Sequence, residues 1–166
     1  MTIKELCDML RAELYDTGYE YGFFLNGEKY RPNRNGDFDA RYYHLATTVY
    51  CVQDLQVTRR EKIGTCVEAA LMMRQLLAEC GVSSKIWLLY NREKHKVHTI
   101  ATFEAEGKVV YLELTPQSSK TWYGKEIVYA DEEEFLTEYR KNYDVSDVTD
   151  SIAIDQPPEV LLEKLR

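Results

Sequence analysis

The chain has 166 residues, 45% of them hydrophobic, and carries a formal net charge of −7 at pH 7. This length and composition fit a single domain with a substantial core, so we expect one domain over residues 1–166. The negative charge disfavours a nucleic-acid partner, which would require clustered Lys and Arg, and favours a peptide, a protein or a small amide. No apolar run is long enough to span a membrane.

The number and spacing of the cysteines indicate whether the protein belongs to an oxidising or a reducing cellular compartment. The four cysteines, at positions 7, 51, 66 and 80, show no Cys-x-x-Cys spacing, and no apolar signal segment opens the chain. This pattern favours neither a zinc framework nor a secreted disulfide scaffold. We therefore expect a reduced protein in the cytoplasm.

The sequence ahead of residue 60 predicts two helices and a hairpin. Apolar residues at three- and four-residue spacing predict an amphipathic helix over residues 2–15 and a further helix over residues 38–57. Between them, Asn26-Gly27 is typical of a tight hairpin turn. The chain has 13 tyrosines, several of them in this part, and their amphipathic rings suit either a half-buried core or the wall of a substrate cleft.

The clearest helix signal lies at residues 65–81. Thr65 and Glu68 have the spacing of a capping box, so a helix is expected to begin at Cys66, and Gly81 is typical of a helix end. One face, including Cys80, is expected to be buried. A lone helical cysteine usually packs as a small hydrophobe. However, a thiol in the first turn also lies at the positive end of the helix dipole, where a thiolate is favoured.

Three strands are predicted next, over residues 85–90, 97–104 and 108–114. If Glu104 pairs with Val109 around the Gly107 turn, then His98 and Glu113 are diagonal neighbours on one face of the sheet. A shift of one residue would place them on opposite faces. The predicted register allows the Glu113 carboxylate to lie within about 3 Å of an imidazole nitrogen, with the other nitrogen facing a thiol.

The remaining sequence predicts a loop over residues 118–123, a short strand over residues 126–129, and a helix capped by Asp131 that runs to Tyr139. The acidic run at residues 131–134 is explained by the preference for acids in a first helical turn rather than by a metal site. Residues 144–155 lack clear periodicity, and a terminal helix is expected from Pro157.

Several motifs together resemble the transglutaminase-like cysteine protease superfamily, which has a papain-like fold. They are Gly-Thr-Cys-Val-Glu at a helix start, His98-Thr99-Ile100, and Tyr-Leu-Glu-Leu-Thr-Pro ending at Pro116, and the resemblance spans residues 64–117. It implies an α+β fold in which a Cys-bearing helix packs on an antiparallel sheet that carries the His and the acid. By position, Cys66 resembles the nucleophile, His98 the base and Glu113 the acid, although Glu113 stands where the family usually has Asp.

These residues favour a cysteine-dependent hydrolase or acyl transferase that forms a thioester with an amide or ester substrate, most simply a transglutaminase-like peptidase. No cofactor and no metal are expected, because a zinc site from Cys66, His95 and His98 would lack a fourth ligand. The alternative is an inactive transglutaminase-like module that binds a protein partner through a Tyr-rich surface.

Overall fold

The computed structural model describes residues 1–32, 52–91, 93, 94, 96–117, 120–143, 145 and 147–150. Within them the protein has an α+β fold, as expected from the sequence. The helices, in chain order, are α1 (Ile3–Leu10), which a π-helical segment (Arg11–Tyr15) continues, α2 (Leu55–Glu61), α3 (Cys66–Glu79) and α4 (Glu132–Tyr143). Among the described residues, no helix is both long and apolar enough to cross a bilayer.

The strands form one main sheet and two small pairs. The main sheet is antiparallel and has the order β8-β7-β6-β5-β9. Its strands are β5 (Ser84–Asn91), β6 (Lys96–Ala105), β7 (Lys108–Leu112), β8 (Glu126–Tyr129) and β9 (Asp147–Asp150). The small pairs join β1 (Glu20–Tyr21) to β4 (Ile63–Gly64) in parallel, and β2 (Phe23–Leu25) to β3 (Glu28–Tyr30) as a hairpin.

Two apolar clusters cover the two faces of the main sheet. Alternate residues of β5, β6 and β7 point to one face, where α1 and α3 pack on them through aliphatic side chains. The other face carries an aromatic cluster, which we define as Trp87, Leu89, Ile100, Val109, Tyr111, Tyr129, Phe135 and Tyr139. Because successive side chains of a strand alternate between faces, β5, β6 and β7 each contribute to both clusters.

The predicted register of β6 and β7 is confirmed. Glu104 lies opposite Val109, and Thr102 lies opposite Tyr111. The turn between the strands consists of Glu106 and Gly107, both with positive φ, at 53° and 70°. Two consecutive left-handed residues fit the twist of a two-residue hairpin, so this turn fixes the pairing.

The predicted turn at Asn26-Gly27 is also confirmed, and the N-terminal helix begins with a cap that was not predicted. Asn26 and Gly27 have φ of 50° and 80° and connect β2 to β3. Thr2 caps α1 through a capping box with Glu5. The helix predicted over residues 2–15 is present, but its last turn is π-helical rather than α-helical.

Some expectations were wrong. Residues 52–54, the described end of the helix predicted over residues 38–57, are irregular, and α2 begins only at Leu55 because the Asp54 carboxylate accepts the Gln56 N–H at 2.8 Å. The rest of that prediction, residues 38–51, lies outside the described residues, as does the terminal helix expected from Pro157. Cys80, predicted to be buried at the end of its helix, is exposed.

The C-terminal part also departs from expectation. The predicted strand over residues 126–129 is present, but α4 runs four residues beyond Tyr139, to Tyr143. Residues 147–150, which show no clear periodicity, form β9 at the edge of the sheet, paired with β5. Edge strands need only one row of backbone hydrogen bonds and little apolar alternation, so the sequence signal for β9 is weak.

Replacing Thr65 by Ala is expected to destabilise the protein by about 1 kcal/mol, because the first turn of α3 loses its side-chain cap. Thr65→Ser keeps the hydroxyl and is expected to retain most of the stability. Urea unfolding of the three proteins measures the difference. Equal losses in both variants would mean that the Thr65 methyl group, rather than the cap, stabilises the helix.

Candidate active site

The start of α3 is built by a reciprocal cap. The Thr65 hydroxyl accepts the N–H of Val67 at 3.3 Å and also receives the N–H of Glu68, while the Glu68 carboxylate accepts the Thr65 N–H at 2.9 Å. Gly64 allows this geometry, because a Cβ there would lie only 2.9 Å from the Cβ of Glu68. The Gly-Thr-Cys-Val-Glu motif thus fixes the position of Cys66 as the first residue of the helix.

The Glu68 carboxylate is fully buried beneath this turn. It also accepts the backbone N–H of Gln53 at 3.0 Å, and the Gln53 amide donates to the Thr58 hydroxyl at 2.7 Å and to the Ile63 carbonyl at 2.9 Å. Burial raises the pKa of Glu68 to about 7, although the N–H donors from Gln53 and Thr65 lower it. This network anchors the segment before α3 to the helix start, and Gln53 is a member that the sequence did not reveal.

His98 and Glu113 form the pair that the register predicted. The Nε2 of His98 lies 2.8 Å from Oε2 of Glu113, and the side chains are 20% and 3% exposed. Glu113 follows directly after β7, and its backbone continues to pair with the segment before β8 through the Lys125 carbonyl and the Gly124 N–H. A buried carboxylate therefore holds one nitrogen of a partly accessible imidazole.

Cys66 completes the group. Its thiol is partly exposed, and its proximity to the imidazole helps to raise the pKa of His98. By strand alternation, His98 belongs to the face of the sheet that carries the aromatic cluster, since it lies opposite Leu89. Because α3 packs on the other face, the thiol and the imidazole meet near the start of β6, beside the first turn of the helix.

The charge of the imidazole is stabilised by its neighbours. Burial lowers the pKa of His98, but the Glu113 carboxylate and the hydrogen-bond contacts with Cys66 and Glu113 raise it more strongly, to about 10 from an ordinary 6.5. The net direction is upward because a buried anion beside an imidazolium is poorly screened by water. His98 is accordingly held as an imidazolium at neutral pH.

An aromatic side chain covers the imidazole. The ring of Trp122 lies 4.7 Å from the His98 ring, centre to centre, at an angle of 31°. The adjacent Tyr123 stacks on Tyr15 from the π-helical segment at 4.7 Å, and a Cβ on Gly124 would come within 3.1 Å of the Tyr15 ring. The sequence predicted a loop over residues 118–123 but did not identify Trp122 as a partner of His98.

The structure thus brings all three predicted residues, Cys66, His98 and Glu113, together. His95, considered as a metal ligand, lies outside the described residues. Where side chains are described, no group of three or more His, Cys, Asp and Glu residues could hold a metal ion. Tyr19, one of the tyrosines ahead of Cys66, lines a small apolar cleft against the first turns of α3, together with Thr65 and Ala69.

No protein-family model matches this chain, and no curated protein matches it in sequence. The geometry of the site and the motifs that form it are therefore the observations on which a function can be inferred.

Because the Glu113 carboxylate raises the pKa of His98, Glu113→Gln is expected to move the titration of the His98 ring from about pH 10 toward its ordinary value of 6.5. NMR titration of the ring resonances measures the midpoint, and the spectrum of His98→Gln assigns them. A midpoint near 6.5 in the unsubstituted protein would contradict an imidazolium held by Glu113.

Proposed function

We propose that the protein is a cysteine-dependent hydrolase or acyl transferase that acts on an amide or ester carbonyl through a thioester. The observation that carries this proposal is a single imidazole, His98, that a buried carboxylate holds at Nε2 and whose pKa the neighbouring Cys66 thiol helps to raise. A nucleophile, a base and a group that orients the base are the parts that this chemistry requires.

The first step is formation of a thiolate–imidazolium pair, in which the Cys66 proton resides on His98. Glu113 occupies Nε2 of the ring, which leaves Nδ1 to accept the thiol proton. The resulting imidazolium is stabilised by the carboxylate, and the sulfur becomes a thiolate at the start of a helix, where the macrodipole favours negative charge. The raised pKa of His98 supports this direction of transfer at neutral pH.

In the second step the thiolate attacks the carbonyl carbon and forms a carbon–sulfur bond, and the carbonyl oxygen takes the negative charge. The backbone N–H of Cys66 is the proposed donor to this oxyanion, because the Thr65 cap engages the N–H groups of Val67 and Glu68 and leaves that of the first helical residue. His98 then gives its proton to the leaving amine or alcohol, which departs as the thioester forms.

In the last step His98 removes a proton from water or from an acceptor amine, which attacks the thioester carbonyl. The carbon–sulfur bond breaks, the acid or the new amide leaves, and the thiol regains its proton. Water gives hydrolysis of a peptide or small amide, and an amine gives acyl transfer. Both outcomes use the same three residues.

The fold supports a transglutaminase-like, papain-like core as the scaffold for this chemistry. A capped helix presents the Cys, an antiparallel sheet supplies His98, and the acid follows the next strand, which is the chain order Cys, His, acid of that superfamily. Glu113 takes the place of the usual Asp and reaches the ring from the diagonal position. Free thiols at Cys7, Cys66 and Cys80 fit a reducing cytoplasm.

An activated thiol is expected to react faster with iodoacetamide at pH 6 than the other described cysteines do. Cys80 is exposed but lies at the opposite end of α3 from Cys66, and burial raises the pKa of Cys7 to about 11. Peptide mapping after brief labelling measures the three rates. If Cys66 reacts no faster than Cys80, the activated-thiol proposal fails.

Glu113→Gln is expected to lower turnover of a p-nitrophenyl ester or of a peptide amide by about 10²-fold or more, because the amide cannot stabilise an imidazolium. Urea unfolding is expected to show little change, since Gln has the shape of Glu.

Cys66→Ser is the companion variant. Full biological activity of Cys66→Ser would favour the alternative, a protein-binding module, because a serine hydroxyl is a far poorer nucleophile than a thiolate.

A further inference from the structure

We propose that Tyr111 is a positioning residue that holds the Glu113 carboxylate in place for His98. This inference rests on the proposed thiol chemistry of the same site. The Tyr111 hydroxyl donates to Oε2 of Glu113 at 2.8 Å, and the same oxygen lies 2.8 Å from Nε2 of His98. Tyr111 itself has no contact with the thiol in this arrangement and acts through the acid.

Both oxygens of the carboxylate are engaged. While Oε2 receives Tyr111 and His98, Oε1 accepts the backbone N–H of Thr115 at 3.2 Å. Donors on both oxygens fix the rotation of the carboxylate about its last bond. Hydrogen bonds to a carboxylate also favour its charged form, which is the form that stabilises an imidazolium.

A glutamate requires this support more than an aspartate would. Its side chain has one more rotatable bond, so an unrestrained carboxylate would sample positions away from His98 and lose rotamer entropy whenever it returned. Tyr111 and Glu113 are two residues apart and therefore point to the same side of the extended chain. The tyrosine is thus placed by the strand itself to meet the longer acid.

Tyr111 is itself held rigidly. Its ring is fully buried in the aromatic cluster, where it packs edge-on against Tyr139 at 5.5 Å and 89°. Its backbone pairs with Thr102 on one side and Ile127 on the other. Burial and the Glu113 carboxylate raise the pKa of Tyr111 far above its usual value, so the hydroxyl keeps its proton and remains a donor.

The same cluster supplies a matched control. Tyr129 is also buried, at 4% exposure, but its hydroxyl has no hydrogen-bond partner among the described residues. Tyr129→Phe removes a buried hydroxyl from the same aromatic cluster without touching Glu113. Any effect of Tyr111→Phe that Tyr129→Phe lacks belongs to the two partners of the Tyr111 hydroxyl, Glu113 and Tyr139, and the Glu113→Gln background separates them.

The test is a double-mutant cycle on the rate of Cys66 alkylation by iodoacetamide at pH 6. Tyr111→Phe is expected to lower this rate roughly tenfold, the effect of one hydrogen bond to a charged group, and Tyr129→Phe to leave it unchanged. In a Glu113→Gln background, Tyr111→Phe is expected to have no further effect, because the group it positions is gone. Losses that multiply in the double variant would overturn the proposal.

Titration of the His98 ring by NMR gives a second readout that does not depend on the thiol. Tyr111→Phe is expected to lower the midpoint, since a displaced carboxylate stabilises the imidazolium less, and Tyr129→Phe to leave it in place. An unchanged or higher midpoint would mean that Tyr111 only competes with His98 for Oε2, which overturns a positioning role. If Cys66 of the unsubstituted protein is not activated, the proposed function fails while this titration still decides the role of Tyr111.

Folding of the variants is checked by urea unfolding. If Tyr111→Phe alone fails to fold, the double variant with Glu113→Gln decides whether the loss comes from a Glu113 carboxylate without its donor or from packing. That protein contains no buried carboxylate that has lost a donor, so it is expected to fold. Failure of both would show that Tyr111 acts through packing and would overturn the proposal.

Discussion

The two-residue turn at Glu106 and Gly107 sets the register of β6 and β7, and the geometry of the site depends on that register. Side chains alternate along a strand. His98 and Glu113 therefore lie on one face only if the residue directly opposite His98 is an even number of positions from Glu113. Both turn residues adopt the left-handed conformation, which matches the twist of the hairpin. A turn eight residues from His98 and six residues from Glu113 thus decides whether the imidazole lies beside the carboxylate.

The sheet separates two environments, and the site lies where they meet. On one face, α1 and α3 cover aliphatic side chains, and α3 carries the thiol on its first turn. On the other face, the aromatic cluster surrounds the carboxylate that holds His98. The low polarity of this second face strengthens the interaction of the carboxylate with its hydrogen-bond donors, and it makes an unpaired carboxylate costly.

The sequence predicted best those elements whose signals are local. The cap at Thr65 and Glu68, the Asn26-Gly27 turn and the alternation in β6 and β7 each involve residues close in the chain, and together they were enough to place Cys66, His98 and Glu113. Contacts between distant segments gave little signal, which explains why the β1–β4 pair, β9 and the role of Gln53 were missed. Tyr111 could have been found, because a residue two positions before Glu113 shares its face.

The stack of Tyr15 on Tyr123 links the N-terminal helix to the segment that covers His98. The first fifteen residues supply none of the three reacting groups, yet one of their rings supports the turn that carries Trp122. The solvent shielding of the imidazole is therefore shared between the N-terminal helix and the segment that precedes β8. Anything that lifts the N-terminal helix from the sheet, such as a proteolytic cut or a bulky fusion at Tyr15, would also uncover the base and let water reach it.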